Sequence, residues 1–164
     1  MSQVPIVSLV GKSGSGKTTF LEKLLPELKR RGYRVATVKH DIHGFDVDHP
    51  GKDTWRHAQA GADAVVISSP RRMALIRRLD EEMSLDEIAG YVQGVDIIIT
   101  EGYKRGKKPK IEISRRGRST QLICSEEELI AVVTDQRFSL NVPHFDLNDA
   151  AGVAQLLEER FLKK

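Results

Sequence analysis

Short apolar runs alternate along the chain with stretches of helical spacing. Pro5-Ile6-Val7-Ser8-Leu9-Val10 is brief, apolar and β-branched, as a strand buried on both faces should be. From Thr18 to Arg31 the period changes. Phe20, Leu21, Leu24, Leu25 and Leu28 recur at helical intervals, and Gly32 supplies the stop. Tyr33 to Val38 predicts a second strand, and a polar loop follows from His40 to Lys52, punctuated by Gly44, Pro50 and Gly51. Asp53 is placed to cap a short helix running to Ala60. Ala62 to Ile67 is a third strand, Pro70 breaks the chain, and Arg72 to Leu79 pairs back as a hairpin. Ser84-Leu85-Asp86-Glu87 reads as a capping box opening a helix to about Val92.

Asp96 to Thr100 is the most apolar strand of the second half. Further strands are predicted at Lys110 to Ser114, Gln121 to Cys124, Leu129 to Val133 and Pro143 to Phe145. Asp149 caps a last helix with Val153, Leu156, Leu157, Phe161 and Leu162 on one face. Alternating strands and helices predict an α/β fold: a mainly parallel sheet covered on both faces. The region from Ala62 to Cys124 has too few helices between its strands, so some antiparallel pairing is expected there. Without repeats, low-complexity segments or a linker, residues 1–164 are expected to form a single domain.

The turn between the first strand and the first helix carries the chemistry. Gly11-Lys12-Ser13-Gly14-Ser15-Gly16-Lys17-Thr18 is a complete G-x-x-x-x-G-K-[ST] loop. Such a loop bares backbone N–H groups that cradle phosphate oxygens. Lys17 reaches the terminal phosphates and the Thr18 hydroxyl ligates Mg²⁺. The expected phosphate-binding set is Gly11, Lys12, Ser13, Gly14, Ser15, Gly16, Lys17, Thr18 and Thr19.

Holding Mg²⁺ also needs a carboxylate, and the strand after Val95 offers Asp96 and Glu101. At ~3.3 Å per residue they stand ~16 Å apart, at opposite ends of the strand. Only Glu101 lies at the C-terminal end, where a parallel neighbour presents the phosphate loop. Gly102 beside it would let the backbone approach the γ-phosphate. The polar loop leaves the second strand on the same ligand side and holds His40, His43 and His49, with His57 following. It has no cysteine and no zinc spacing, so a dedicated metal site is not predicted. A loop that changes order with the γ-phosphate suits it better. Asp41 would bind Mg²⁺ through water or orient an attacking water. The catalytic candidates are therefore Asp41 and Glu101, and the metal candidates Thr18, Glu101 and Asp41.

Charge and cysteine content narrow the class. The net charge is only +3, yet the basic residues clump at Lys104-Arg105-Gly106-Lys107-Lys108-Pro109-Lys110 and Arg115-Arg116-Gly117-Arg118. Arg71-Arg72 and Arg77-Arg78 flank an apolar run. Such clumps suit anionic partners. With 5% aromatic residues and no stacking platform, nucleic acid is not predicted. The single cysteine, Cys124, excludes an internal disulfide and is expected as a packed strand residue. No run approaches the ~18 apolar residues of a membrane span, and no signal-peptide pattern opens the chain, so no membrane partner and a cytoplasmic location are expected.

Several segments together resemble the MobB family. They are Gly11 to Thr19, Thr37-Val38-Lys39-His40, His43-Gly44-Phe45-Asp46-Val47-Asp48, Pro50-Gly51-Lys52-Asp53, Arg56-His57 and Ala60-Gly61-Ala62. Thr100-Glu101-Gly102-Tyr103-Lys104 and Thr134-Asp135 extend the likeness, which runs from residue 5 to about 160. The resemblance implies a three-layer P-loop NTPase fold, a homodimer, Mg²⁺ and GTP as ligands, and at most slow GTP hydrolysis. It implies an adapter role in the synthesis of molybdopterin guanine dinucleotide, a form of the molybdenum cofactor. The partner would be the guanylyltransferase that joins GMP to molybdopterin. The basic segments 104–110 and 115–118 would contact molybdopterin or that enzyme.

No Asn-Lys-x-Asp tetrad is present to read guanine. Asp135, after the strand Leu129 to Val133, stands where a carboxylate would pair with guanine N1 and N2. Lys12 matches loops in which an early lysine reaches a partner's nucleotide, but Ser13 replaces the second glycine of that pattern, which favours an exposed loop lysine. Two alternatives follow from the same residues. One is a small-molecule kinase with Asp41 as base and segment 104–110 as lid. The other is a dimeric partition-type ATPase built on Lys12.

Overall fold

The computed structural model describes residues 4–163. Its strands are β1 (Ile6–Val10), β2 (Val35–Lys39), β3 (Ala64–Ser68), β4 (Met73–Arg77), β5 (Ile97–Glu101), β6 (Lys110–Ser114), β7 (Leu129–Thr134) and β8 (His144–Phe145). Its helices are α1 (Lys17–Arg30), α2 (Asp53–Gln59), α3 (Leu85–Gly90) and α4 (Ala150–Leu157). The chain forms two compact units. One runs through His40 and resumes at Ala89, and the other is Asp41–Ile88.

The first unit is built on a six-stranded sheet in the order β2-β5-β1-β6-β7-β8. Every pairing in it is parallel. β1 is central and buried along its whole length, which is why its run is continuously apolar except at Ser8. Alternate residues divide the sheet into two faces. Val7, Leu9, Ile97, Ile99, Ile111, Ile113, Ala131 and Val133 share a core with Phe20, Leu21, Leu24 and Leu28 of α1 and with Val153, Ala154 and Leu157 of α4. Each large side chain buried in that layer contributes about 1.5–3 kcal/mol of transfer free energy. Arg31 ties α1 to the residue that caps the C-terminus of α4, with Nε on Glu27 and Nη1 on Glu158, each at 2.9 Å.

The opposite face buries polar groups as well as apolar ones. The Thr100 hydroxyl donates to Ser8 Oγ at 2.9 Å. Lys110 is 2% exposed and pairs with Glu128 at 3.1 Å, so the last member of the 104–110 basic clump is internal. Glu112 is 1% exposed and accepts the N–H groups of Ile123 and Cys124 at 2.8 and 3.0 Å. That arrangement corrects the strand expected at Gln121 to Cys124. A buried carboxylate takes the amides that a ladder would have used, so the segment is a loop, and Cys124 is not a strand residue. Burial, with Glu112 and Glu128 nearby, pushes the Cys124 thiol up to about 12.

The second unit holds a separate two-stranded sheet, β3 with β4, antiparallel as the hairpin predicts. The antiparallel pairing expected between Ala62 and Cys124 is confined to it, since β5 and β6 join the parallel sheet. The capping box forms as expected, with Glu87 Oε2 accepting the Ser84 N–H at 2.8 Å. Asp53 is the first helical residue of α2 rather than its cap, which is Lys52. Asp149 does cap α4, accepting the Gly152 N–H at 2.8 Å. No helix among the described residues is long and apolar enough to cross a membrane.

Candidate functional site

β1 delivers the chain into the turn Gly11–Gly16, and α1 begins at Lys17. Gly11 passes so close to β6 that a Cβ there would collide with the Ile113 carbonyl. Ser15 closes the turn by donating its N–H to the Lys12 carbonyl at 3.1 Å. Lys17 folds back over the loop, donating to the carbonyls of Gly11 and Lys12 at 3.0 and 3.1 Å. Burial holds its ammonium below the usual lysine range, with Lys104 and Lys39 adding repulsion and Glu101 opposing them. A partly desolvated cation resting on carbonyls gains most when phosphate oxygens replace them.

β5 lies beside β1 in parallel register, Leu9 opposite Glu101. The Thr18 hydroxyl donates to Glu101 Oε1 at 2.7 Å. Asp96, at the far end of the strand, accepts the Arg34 N–H at 2.7 Å and does not share this site. Thr18 and Glu101 supply two hard oxygens. Mg²⁺ takes one or two carboxylates and completes its shell with water and substrate phosphate, so the pair fits that ion. No group of three or more His, Cys, Asp or Glu capable of holding a metal occurs among the described residues.

Gly102 adopts φ +105°, and its N–H donates to the Leu9 carbonyl at 3.0 Å. A Cβ there would meet His40 Cβ at 3.2 Å. The His40 and Tyr103 rings stack beside it with centroids 4.5 Å apart, and Tyr103 holds the left-handed φ of 58°. Nothing in the hydrophobic pattern predicts that stack. Asp41 belongs to the other unit, where Oδ1 accepts the His43 N–H at 2.9 Å.

The loop after β6 covers the phosphate turn from the other side. Arg115 Nη2 donates to the Gly14 carbonyl at 3.0 Å, and Lys12 Nζ donates to Ser119 Oγ at 2.7 Å. The Arg118 guanidinium packs over Gly14, where an added Cβ would meet its Nε at 2.8 Å. Asp135 Oδ1 accepts the Arg116 N–H at 2.8 Å, bracing that loop. Sequence reasoning had no signal for the contacts of Arg115 and Arg118 with Gly14, which lies about a hundred residues away in the chain.

A parallel sheet with a glycine-rich turn after its central strand, a lysine, a threonine and a facing carboxylate define a protein of the P-loop NTPase fold. Residues 6–135 match the family model described as molybdopterin guanine dinucleotide synthesis protein B, MobB, and the chain belongs to this family. The molybdopterin-guanine dinucleotide biosynthesis adapter protein of Haemophilus influenzae is 35% identical over 159 residues, covering 96% of this chain and 89% of that one. Its Escherichia coli counterpart is 35% identical over 170 residues, covering 99% and 97%. A crystal structure of molybdopterin-guanine biosynthesis protein B superposes with a TM-score of 0.74 at 33% identity, covering 97% of this chain and 99% of that one.

Proposed function

We propose that the chain is a cytoplasmic, GTP-binding adapter of molybdopterin guanine dinucleotide biosynthesis. It acts as a homodimer alongside the guanylyltransferase that joins GMP to molybdopterin. Family membership and the adapter relatives support the biosynthetic role. The observation that carries the nucleotide reading is the Thr18–Glu101 hydrogen bond beside a Lys17 folded onto the phosphate turn. Lys17 and the loop amides hold the β- and γ-phosphates. Thr18 and Glu101 hold Mg²⁺, which when bound neutralises charge on those phosphates.

The neighbouring residues suit binding better than turnover. Glu101 accepts the Thr18 hydroxyl, which commits its carboxylate to the metal end of the site rather than to an attacking water. Hydrolysis is therefore slow at most. The segment 39–53 responds to the nucleotide and alters the surface offered to the partner enzyme. Lys104, Arg105, Lys107 and Lys108 meet the anionic pterin or that enzyme. The apolar side chains exposed on the second unit, Phe45 and Met73 among them, support a second copy as their cover.

Calorimetry with GTP, GDP and ATP, with and without Mg²⁺, tests the reading. Lys17→Ala is expected to weaken GTP binding by about 100-fold or more, the equivalent of roughly two charge-assisted hydrogen bonds. Glu101→Gln should remove the Mg²⁺-dependent part of the affinity and leave the Mg²⁺-free part intact. Unchanged affinity in Lys17→Ala would refute the phosphate assignment. Hydrolysis at many turnovers per second would sink the adapter role.

A further inference from the structure

The two neighbours of β1 separate the two ends of a bound nucleotide. On the β5 side stand Glu101 and the Thr18 hydroxyl, the metal and terminal-phosphate end. On the β6 side, α1, the end of β6 and the segment after β8 enclose a cavity of about 210 Å³. Pockets that take a whole drug-sized ligand run to ~300–1,000 Å³. This one suits one end of a ligand whose phosphates rest outside it, on the loop. It opens on Gly16 and Thr19, and Thr19 follows directly on Thr18 in α1. A triphosphate whose terminal phosphate meets Lys17 and Thr18 therefore directs its nucleoside into this cavity.

The lining carries the chemistry of a base site. Phe20, Ile113 and Leu147 give it apolar walls. Ser15, also on the wall, is 2% exposed, and its hydroxyl has no hydrogen-bond partner. An orphaned buried hydroxyl costs free energy until something pairs with it. Arg115 is pinned at the mouth by its bond to the Gly14 carbonyl, and Asp135 braces its segment through the Arg116 N–H. Lys23 Nζ donates to Asn148 Oδ1 at 2.7 Å, and Asp146 Oδ1 fixes Asn148 by accepting its N–H at 2.9 Å.

Resting on the phosphate-site reading above, we infer that this cavity takes the purine, with Arg115 stacked on the ring and the Lys23–Asn148 pair reading its edge. A pinned guanidinium offers a flat cationic surface to an aromatic ring. Guanine presents O6 and N7, two acceptors side by side, and a lysine ammonium suits them. Adenine places an amino donor at the same edge, facing the ammonium with the wrong polarity. Asn148, released from Lys23, offers its carbonyl to the guanine N1–H. The site thus discriminates 6-keto from 6-amino purines without an Asn-Lys-x-Asp tetrad.

Titration of the full chain with GTP, ITP, ATP and inorganic tripolyphosphate tests this, with thermal unfolding confirming that each variant folds. Lys23→Met keeps the aliphatic stem. It should weaken GTP and ITP by about tenfold and leave ATP and tripolyphosphate within about twofold. Arg115→Gln keeps a donor for the Gly14 carbonyl but loses the flat cation. It should weaken GTP and ATP alike and spare tripolyphosphate. An unchanged GTP-to-ATP ratio in Lys23→Met, or parallel losses of GTP and tripolyphosphate, overturns the base site while leaving the phosphate site standing. A wild-type chain that binds neither GTP nor tripolyphosphate overturns both.

Discussion

Val65 is the one buried apolar side chain of the second unit among the described residues, whereas the first unit packs a continuous core between its sheet and α1 and α4. Exposure runs the other way. Ile42, Phe45 and Met73, all in the second unit, are 78%, 76% and 73% exposed. The β3–β4 register explains part of this. Val66 pairs with Leu75 and Ser68 with Met73, so Val66, Leu75 and Met73 share one face of the hairpin. Val65 and Ile76 share the other. A two-stranded hairpin is marginal by itself, and this one turns an apolar face outward. The first unit buries its apolar side chains in its own core. The second leaves apolar side chains exposed, and the homodimer proposed above is assigned to them.

The same substitution in each unit should separate the two designs most sharply. Leu24→Ala removes a fully buried side chain between α1 and the sheet and is expected to cost about 2–5 kcal/mol of unfolding free energy. Leu75→Ala, on the 41% exposed hairpin face, should cost under about 1 kcal/mol in dilute protein. Its cost should grow with protein concentration as the covered form is populated. Chemical denaturation at two concentrations measures both, and equal, concentration-independent losses would erase the distinction. A smaller effect is expected from charge on the hairpin. Val66→Asp with Met73→Asp should shift the dimer toward monomer by about tenfold or more in sedimentation, with little change in GTP affinity. A dimer that survives this pair has its interface elsewhere.

Local patterns were legible where one element answers to its own sequence. The stripe Phe20, Leu21, Leu24, Leu28 pointed to α1, and a β-branched run before Pro70 with an apolar run after it pointed to the hairpin. Strand direction alone sets Glu101 and Asp96 at opposite ends of β5, and it is Glu101 that meets the Thr18 hydroxyl. Other features depend on residues far apart in the chain. Gln121 to Cys124 looks like a strand until Glu112, a buried carboxylate, claims its amides. The basic clumps look alike in sequence, yet Lys110 is internal, while Arg115 and Arg118 lie on the phosphate turn. A charge run does not carry its partner's position, so neither outcome was readable.

Buried charge is a further contrast, since the buried polar and charged residues described all belong to the first unit. Glu112 provides its most direct test. Burial raises its carboxyl above the usual glutamate range, although the Ile123 and Cys124 N–H groups pull it back. The folded state thus binds this proton more tightly than the unfolded chain does. The stabilisation it supplies is full below the ordinary glutamate pKa and is lost as pH rises through the raised folded value. Glu112→Gln has no such proton to lose. The stability of the wild type relative to this variant should therefore decline as pH rises from about 4 toward neutrality. Denaturation curves across that range give the slope. A wild type that gains on the variant as pH rises would mean that the two amide bonds outweigh burial, and that the first unit is built around an anion rather than around a shared proton.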